Sequence, residues 1–422
     1  MLFRIWDPPA APAFPAASEL SIPCRDAAGH PMELGLGDEI LAGHLLLTGG
    51  TGTGKTCFLK VLSDRCRSRF PDANFVFLDP KGDFWPARHA GDLRVTFDPG
   101  QDVFQWNILD EVLAAARPEE ELDEIIQKLF APMIQSAGAN RFFIQAACQV
   151  FYGYLLTVLR RCRGGSVPAH RELAAWLSQS TLPRLRDRLA LESDLAGIRT
   201  CLEGREAAAV AAELHQFAHT FFCTPGEGHE TIAGFLARRG QALFLEYDAA
   251  RAESSKPLLR LLLDRAISAI LSSRWDGHRV FFFLDEASLL TDYGLERLLN
   301  IGRSRGARVI SAFQNHYQVQ CMYAQSPSME ADAQDLLAGF SSLIAFRPNT
   351  EAEAAFIREQ LGQVDIQQLA FGLSRWDPPH SSVVRDCPVT TRELFALRPG
   401  QALVRLRGCS PVQVDFSLSH QE

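Results

Sequence analysis

The stretch His44-Leu-Leu-Leu-Thr-Gly-Gly-Thr-Gly-Thr-Gly-Lys-Thr56 decides how this chain is read. Its second half, Gly49 to Thr56, fits the spacing GxxxxGK[ST], with the apolar run Leu45 to Leu47 before it and the helical stretch Cys57 to Arg67 after it. Glycines allow backbone N–H groups to converge on phosphate oxygens without side-chain interference, and a helix N-terminus adds a favourable dipole. The pattern predicts a triphosphate cradle made of Gly49, Gly50, Thr51, Gly52, Thr53, Gly54, Lys55 and Thr56. Lys55 is expected to reach the β- and γ-phosphates and Thr56 to ligate Mg²⁺, with ATP as the nucleotide.

Outward from the loop, further strand patterns appear at 74–80 (NFVFLDP), 93–97 (LRVTF), 241–247, 279–286, 307–313 and 341–347, with two more in the tail at 401–406 and 411–416. Between about 108 and 238 these signals give way to helical periodicity, strongest at 119–134, 140–162, 170–180 and 205–222. The expected class is α/β: a RecA-like nucleotide-binding domain with a mainly parallel sheet flanked by helices (20–107 and 239–422) and an inserted all-α domain (108–238). Residues 1–19, rich in Pro and Ala, are expected to be a flexible lead-in.

Asp285 and Glu286 follow Val-Phe-Phe-Phe-Leu, which places them at the C-terminal end of a buried strand, where open α/β sheets bind ligands. A carboxylate there can hold Mg²⁺, so Asp285 joins Thr56 as a metal candidate, and Glu286 is the candidate to orient or deprotonate an attacking water. Gln314 ends the next strand and could contact the γ-phosphate or that water. Arg303, Arg305 and Arg308 lie just before the same strand, where a guanidinium could reach a neighbouring subunit's nucleotide or simply face solvent. Asp79-Pro-Lys-Gly-Asp83 reads as a charged turn after a strand.

The remaining features exclude more than they assign. A formal charge of −8 argues against coating nucleic acid with the whole surface, so any DNA contact must be focused. The ten cysteines contain no CxxC pair and read as reduced thiols. His215 and His219 share a helix face but have no obvious third ligand, so zinc is not expected. The arginine clusters at 65–69, 160–163 and 184–188 read as solvated helix faces. No uninterrupted apolar run approaches the roughly 20 residues that span a bilayer, and the opening residues do not read as a signal peptide.

Several segments together resemble the type IV secretion coupling-protein family, the TraD/TraG-like conjugative ATPases of the FtsK/HerA superfamily. They are HLLLTGGTGTGKT, FLDPKGDFW (77–85), FQWNIL (104–109), VFFFLDEASLL (280–290), IGRSRGARVISAFQNHYQVQ (301–320), TEAEAAFIREQLG (350–362) and RELFALRPGQALV, in family order. The resemblance implies a RecA-like motor with an all-α insert, working as a homo-hexamer with nucleotide between neighbours. Lys55 and Thr56 would bind nucleotide, Asp285 and Glu286 would form the second acidic motif, and Gln314 would be the sensor. Arg303 or Arg305 would be a finger acting on the adjacent subunit. The implied partners are DNA, read independently of base sequence and expected to be single-stranded, or a relaxase–DNA complex, together with secretion-channel or membrane-anchor proteins. Family members usually carry N-terminal transmembrane helices, and no such segment is read here, so the expected place is the cytoplasm, peripheral at the inner membrane through a partner. Two other readings stay open: a nucleotide-switched recruitment platform for protein cargo, and a HerA-like motor of DNA processing.

Overall fold

A computed structural model describes residues 2–5, 19–96, 102–162, 166–222, 228–247, 252–291, 293–324, 326, 328–370 and 380–416. They divide into two compact units: Met1–Leu78 with Trp275–Glu422, and Asp79–Arg274. In chain order the strands are β1 (Leu2–Ile5), β2 (Ser21–Asp26), β3 (Pro31–Gly35), β4 (Leu45–Thr48), β5 (Asn74–Asp79), β6 (Leu93–Val95) and β7 (Ala242–Glu246). They continue with β8 (Val280–Leu284), β9 (Ala307–Phe313), β10 (Ser342–Phe346), β11 (Val364–Ala370), β12 (His380–Asp386), β13 (Gln401–Arg405) and β14 (Val412–Asp415).

Within the first unit the main sheet runs β3-β2-β14-β13-β10-β4-β9-β8-β5. The five strands from β10 to β5 are mutually parallel, and the other four extend the sheet antiparallel from β10. The sequence explains the division. Every residue of β4, β8, β9 and β10 is buried, as continuous apolar runs require in a sheet covered on both faces. By contrast β2 alternates over its first four residues between half-buried and buried positions. The parallel register sets Phe75 beside Phe281 and Phe77 beside Phe283, with ring centroids 5.1 and 5.2 Å apart. Each such pair contributes about 1 kcal/mol beyond its buried area.

The order of the parallel strands matters most for the site. Because β9 lies between β4 and β8, and β10 borders β4 on its other side, the loops leaving β4, β8, β9 and β10 emerge at one edge of the sheet. A separate sheet in the same unit pairs β1 with β11 and β11 with β12, both antiparallel. None of β1, β2, β3, β11 or β12 was expected from the sequence. Strand β1 lies inside the stretch read as a lead-in, of which residues 6–18 lie outside the described residues.

In the second unit β6 and β7 form a parallel pair. Among the described residues from 108 to 238 every regular element is helical. The longest helices there are Pro118–Ser136, Arg141–Cys162 and Ala207–Phe221. They meet through an aromatic core in which the rings of Phe130 and Phe217 lie 3.8 Å apart and those of Phe151 and Phe217 5.0 Å apart.

Gly138–Cys162 is long and apolar enough to cross a membrane by length and composition, with mean hydropathy 1.6. It holds no uninterrupted apolar run of that length, because Gln145 and Gln149 break it without much lowering the average. In the structure the most apolar stretch of 18 residues in it is 67% buried, with Val150, Phe151, Tyr154, Leu155 and Leu159 inside the core.

Candidate functional site

Strand β4 ends at Thr48 and the chain turns through Gly49, Gly52 and Gly54, with φ of 141°, 72° and 112°. These values favour glycine. Close approach adds to the demand: a Cβ on Gly49 would lie 2.7 Å from Cβ of Phe346, and one on Gly50 2.1 Å from Oδ1 of Asn349. The helix Lys55–Arg69 starts directly from Gly54, with no side chain capping it. Its first amides therefore face the loop, as an anion site requires. Lys55 is buried and arches back over the loop, its Nζ donating to Gly49 O at 2.5 Å and Gly50 O at 2.8 Å. Thr53 Oγ1 donates to Gly50 O at 2.8 Å, fixing the bend.

The two acidic candidates meet this loop. Thr56 Oγ1 donates to Asp285 Oδ2 at 2.9 Å, and Asp285 is only 4% exposed. Its own N–H donates to Leu78 O at 3.2 Å, which anchors the end of β8 to the neighbouring strand. Glu286 follows with φ 56° and ψ 52°, a left-handed conformation uncommon outside glycine. Gln314, at the end of β9, donates from Nε2 to Glu286 Oε1 at 3.1 Å, and Thr51 Oγ1 donates to Gln314 Oε1 at 3.5 Å. Loop, sensor candidate and second carboxylate thus form one connected chain of polar contacts. A strained residue beside a ligand site is where such strain is usually found.

The arginines part company. Arg303 and Arg305 sit in the 3₁₀ turn Gly302–Arg305 that leads into β9, at the opposite end of that strand from Gln314. Seven strand residues separate the two ends, roughly 23 Å, so this chain does not bring these guanidinium groups to its own glycine loop. Arg303 is exposed and Arg305 half-buried. Arg308 is buried and makes a two-point pair with Asp38, Nε to Oδ1 at 3.0 Å and Nη2 to Oδ2 at 3.0 Å. Burial pushes the Asp38 carboxyl up, but the hydrogen bonds and charges of Arg308 and then Arg279 outweigh it and hold it below the usual carboxylate range. Arg308 is therefore a structural cation of this subunit.

In the second unit, the carboxylate of Asp79 accepts from Asp83 N at 2.8 Å and Phe84 N at 2.9 Å, closing the Asp79–Asp83 turn. Burial pushes its pKa up to about 6, against those two donors. In the two arginine clusters of this unit, Arg160 pairs with Glu119, Glu192 and Asp194 and Arg186 donates to Leu202 O, whereas Arg161 and Arg184 are exposed. Among the described residues no group of three or more His, Cys, Asp and Glu side chains could hold a metal, and the side chain of His219 lies outside them.

Sequence reading missed Glu353. It is 0% exposed, accepts from Thr48 Oγ1 at 3.2 Å and from Asn349 N at 2.9 Å. Burial raises its pKa, opposed in turn by the Asn349 amide, the Thr48 hydroxyl and the charge of Lys55. A glutamate in the first turn of a helix looks like ordinary capping, and only its tertiary partners distinguish it.

The profile described as type IV secretion-system coupling protein DNA-binding domain matches residues 31–384. Among solved structures, the bacterial conjugative coupling protein TrwBdeltaN70, unbound monoclinic form, superposes with a TM-score of 0.71 at 21% identity, covering 95% of this chain and 90% of that one. The plasmid coupling protein TrwB in complex with ADP and Mg²⁺ gives 0.67 at 21% identity, covering 93% and 89%. VirB4 of Thermoanaerobacter pseudethanolicus gives 0.55 at 14% identity, covering 96% and 99%. No curated protein matches the chain. The fold is that of a RecA-like P-loop NTPase carrying an all-α part. With a coupling-protein profile spanning most of its length and that fold throughout, the chain belongs to the type IV secretion-system coupling protein family.

Proposed function

We propose that the chain is an ATP-hydrolysing motor of the coupling type, which recruits and moves DNA or a DNA–protein complex towards a secretion channel. The observation that carries this reading is the junction of Thr56 with Asp285 beside the Thr51–Gln314–Glu286 chain. In this reading the amides of Gly49 to Thr56 cradle the triphosphate of ATP and Lys55 counters its charge. The hydroxyl of Thr56 and the carboxylate of Asp285 are an all-oxygen donor pair of the kind Mg²⁺ takes, and the related TrwB structure is described in complex with ADP and Mg²⁺. Bound Mg²⁺ supplies charge neutralisation on the phosphates. Glu286 orients and deprotonates the attacking water, and Gln314, hydrogen-bonded to Glu286, senses the γ-phosphate.

Arg303 or Arg305 act on the nucleotide of the adjacent subunit in a homo-hexamer. Their distance from their own loop and the exposure of Arg303 support an action outside the subunit. Residues 20–107 and 239–422 make the motor domain, and 108–238 the all-α insert. DNA is gripped by its phosphates, independent of base sequence, in a focused channel, since the chain carries a net charge of −8. Relaxase-bound DNA, channel proteins and a membrane-anchor protein are the partners, and the place of work is the cytoplasmic side of the inner membrane. The test is ATPase activity with and without single- and double-stranded DNA. Intact oligomers that neither form of DNA stimulates would remove DNA as the substrate.

A further inference from the structure

The segment that follows β10 is built against the glycine loop. Gly50 N donates to Arg347 O at 2.8 Å, and the whole side-chain amide of Asn349 lies on the bare α-carbon of Gly50, where a Cβ would come within 2.5 Å of its Oδ1, Cγ and Nδ2. Asn349 is held there from below: its N–H meets Oε2 of Glu353, while Oε1 of the same carboxylate takes the hydroxyl of Thr48, the last residue before the loop. One buried carboxylate therefore ties together the strand entering the loop and the residue covering its first bend. It also lies in the field of Lys55.

The helix Glu351–Leu361 does not need this arrangement for its own start, because Thr350 caps it through Glu353 N. A carboxylate is the fitting group at this place. Two acceptor oxygens face two donors, and a glutamine would turn an NH₂ towards one of them. Burying a charge is costly unless it is paired and hydrogen-bonded, and here the compensation comes from Thr48, Asn349 and Lys55, which all belong to the loop or its cover.

We propose that Glu353 and Asn349 are positioning residues for nucleotide: Glu353 holds Thr48 and Asn349 so that the Gly49–Gly50 bend stays preformed and Lys55 stays aimed into the cradle. The proposal rests on reading Gly49 to Thr56 as the phosphate cradle of ATP. A loop that must be ordered on binding loses affinity, whereas a preformed one does not.

The test uses the full chain and titrates N-methylanthraniloyl-ATP against wild type, Glu353→Gln, Asn349→Ala and Lys55→Ala, with steady-state ATPase KM and kcat and the thermal midpoint of each. The expected result is a rise of roughly tenfold in Kd and KM for Glu353→Gln, the size of one charge-assisted hydrogen bond, and of about three- to tenfold for Asn349→Ala, which removes the amide packed on Gly50 but keeps the backbone N–H to Glu353, with kcat changed less than about threefold. A purely structural role would lower the thermal midpoint and the active fraction while leaving Kd and KM of the folded protein at wild-type values, and that outcome overturns the proposal. Should Glu353→Gln fail to fold, Asn349→Ala, on an exposed residue, decides alone by the same two outcomes. If Lys55→Ala also binds nucleotide normally, the cradle reading falls and this proposal with it. If only Lys55→Ala loses binding, the cradle stands and this proposal alone is overturned.

Discussion

Thr56 Oγ1 donates a 2.9 Å hydrogen bond to Oδ2 of Asp285, a residue 229 positions further along the chain. The sheet order makes this contact possible: β8 is one strand removed from β4, with β9 between them, and all three release their loops at one edge. The same order places Gln314 between the glycine loop and Glu286.

Lys55 is the first place to probe. Lys55→Ala removes the ammonium that bridges the carbonyls of Gly49 and Gly50 and should weaken ATP binding by about 100-fold or more. Its thermal midpoint should stay within a few degrees of wild type, since no apolar core packing is lost. Calorimetric titration with ATP and a melting curve check both halves.

Glu286 carries the proposed chemistry. Glu286→Gln should retain ATP with Kd changed less than about threefold while turnover falls by about 10² to 10⁴, the usual weight of a general base. Single-turnover assays with purified ATP-loaded protein measure this directly, and rapid turnover would end the assignment.

Two neighbouring arginines should behave oppositely. Arg308→Ala leaves the half-buried Asp38 with Arg279 as its remaining partner and should cost about 1 to 2 kcal/mol of stability. Arg303→Ala, on an exposed side chain, should change stability by less than about 0.5 kcal/mol while lowering the ATPase rate of the assembled ring. Urea unfolding and ATPase assays on both variants separate the structural cation from the functional candidate.

His44 predicts an acid limit. It is buried with φ 60°, accepts from Val309 N and bonds through Nε2 to Leu299 O, so Nε2 bears the proton of a neutral ring. Burial above all, with the charges of Arg308 and Arg303 also pushing down against the Leu299 carbonyl, sets its pKa at about 4. An unfolded histidine takes up its proton near pH 6.5. The unfolded state therefore binds more protons between pH 6.5 and 4, and the stability due to neutral His44 is complete above about 6.5 and lost as pH falls to about 4. That contribution is about 3 kcal/mol. In His44→Asn, which tolerates the left-handed backbone, urea midpoints should lie lower at pH 7 and fall less steeply across that interval.

The sequence by itself determined the local elements whose signals are local. Largely apolar runs gave β4, β8, β9 and β10, and the glycine spacing gave the loop, because both depend on what a few consecutive residues do to backbone and solvent. It also pointed to Lys55 and Thr56, which open the helix behind the glycine loop, and to Asp285, Glu286 and Gln314, which follow strand ends. Weaker segments such as β2 and β11, with charged or amide side chains, hold as strands through ladders on both sides, to β3 and β14 and to β12 and β1, so their pattern alone did not reveal them. Only the tertiary structure decided which ends of strands meet. Strand order took Arg308 away from the nucleotide reading and paired it with Asp38, set Arg303 and Arg305 at the far end of β9, and carried Glu353 beneath a loop some 300 residues earlier. Those outcomes rest on long-range pairing and on the cost of leaving buried charge uncompensated, quantities that no window of sequence contains.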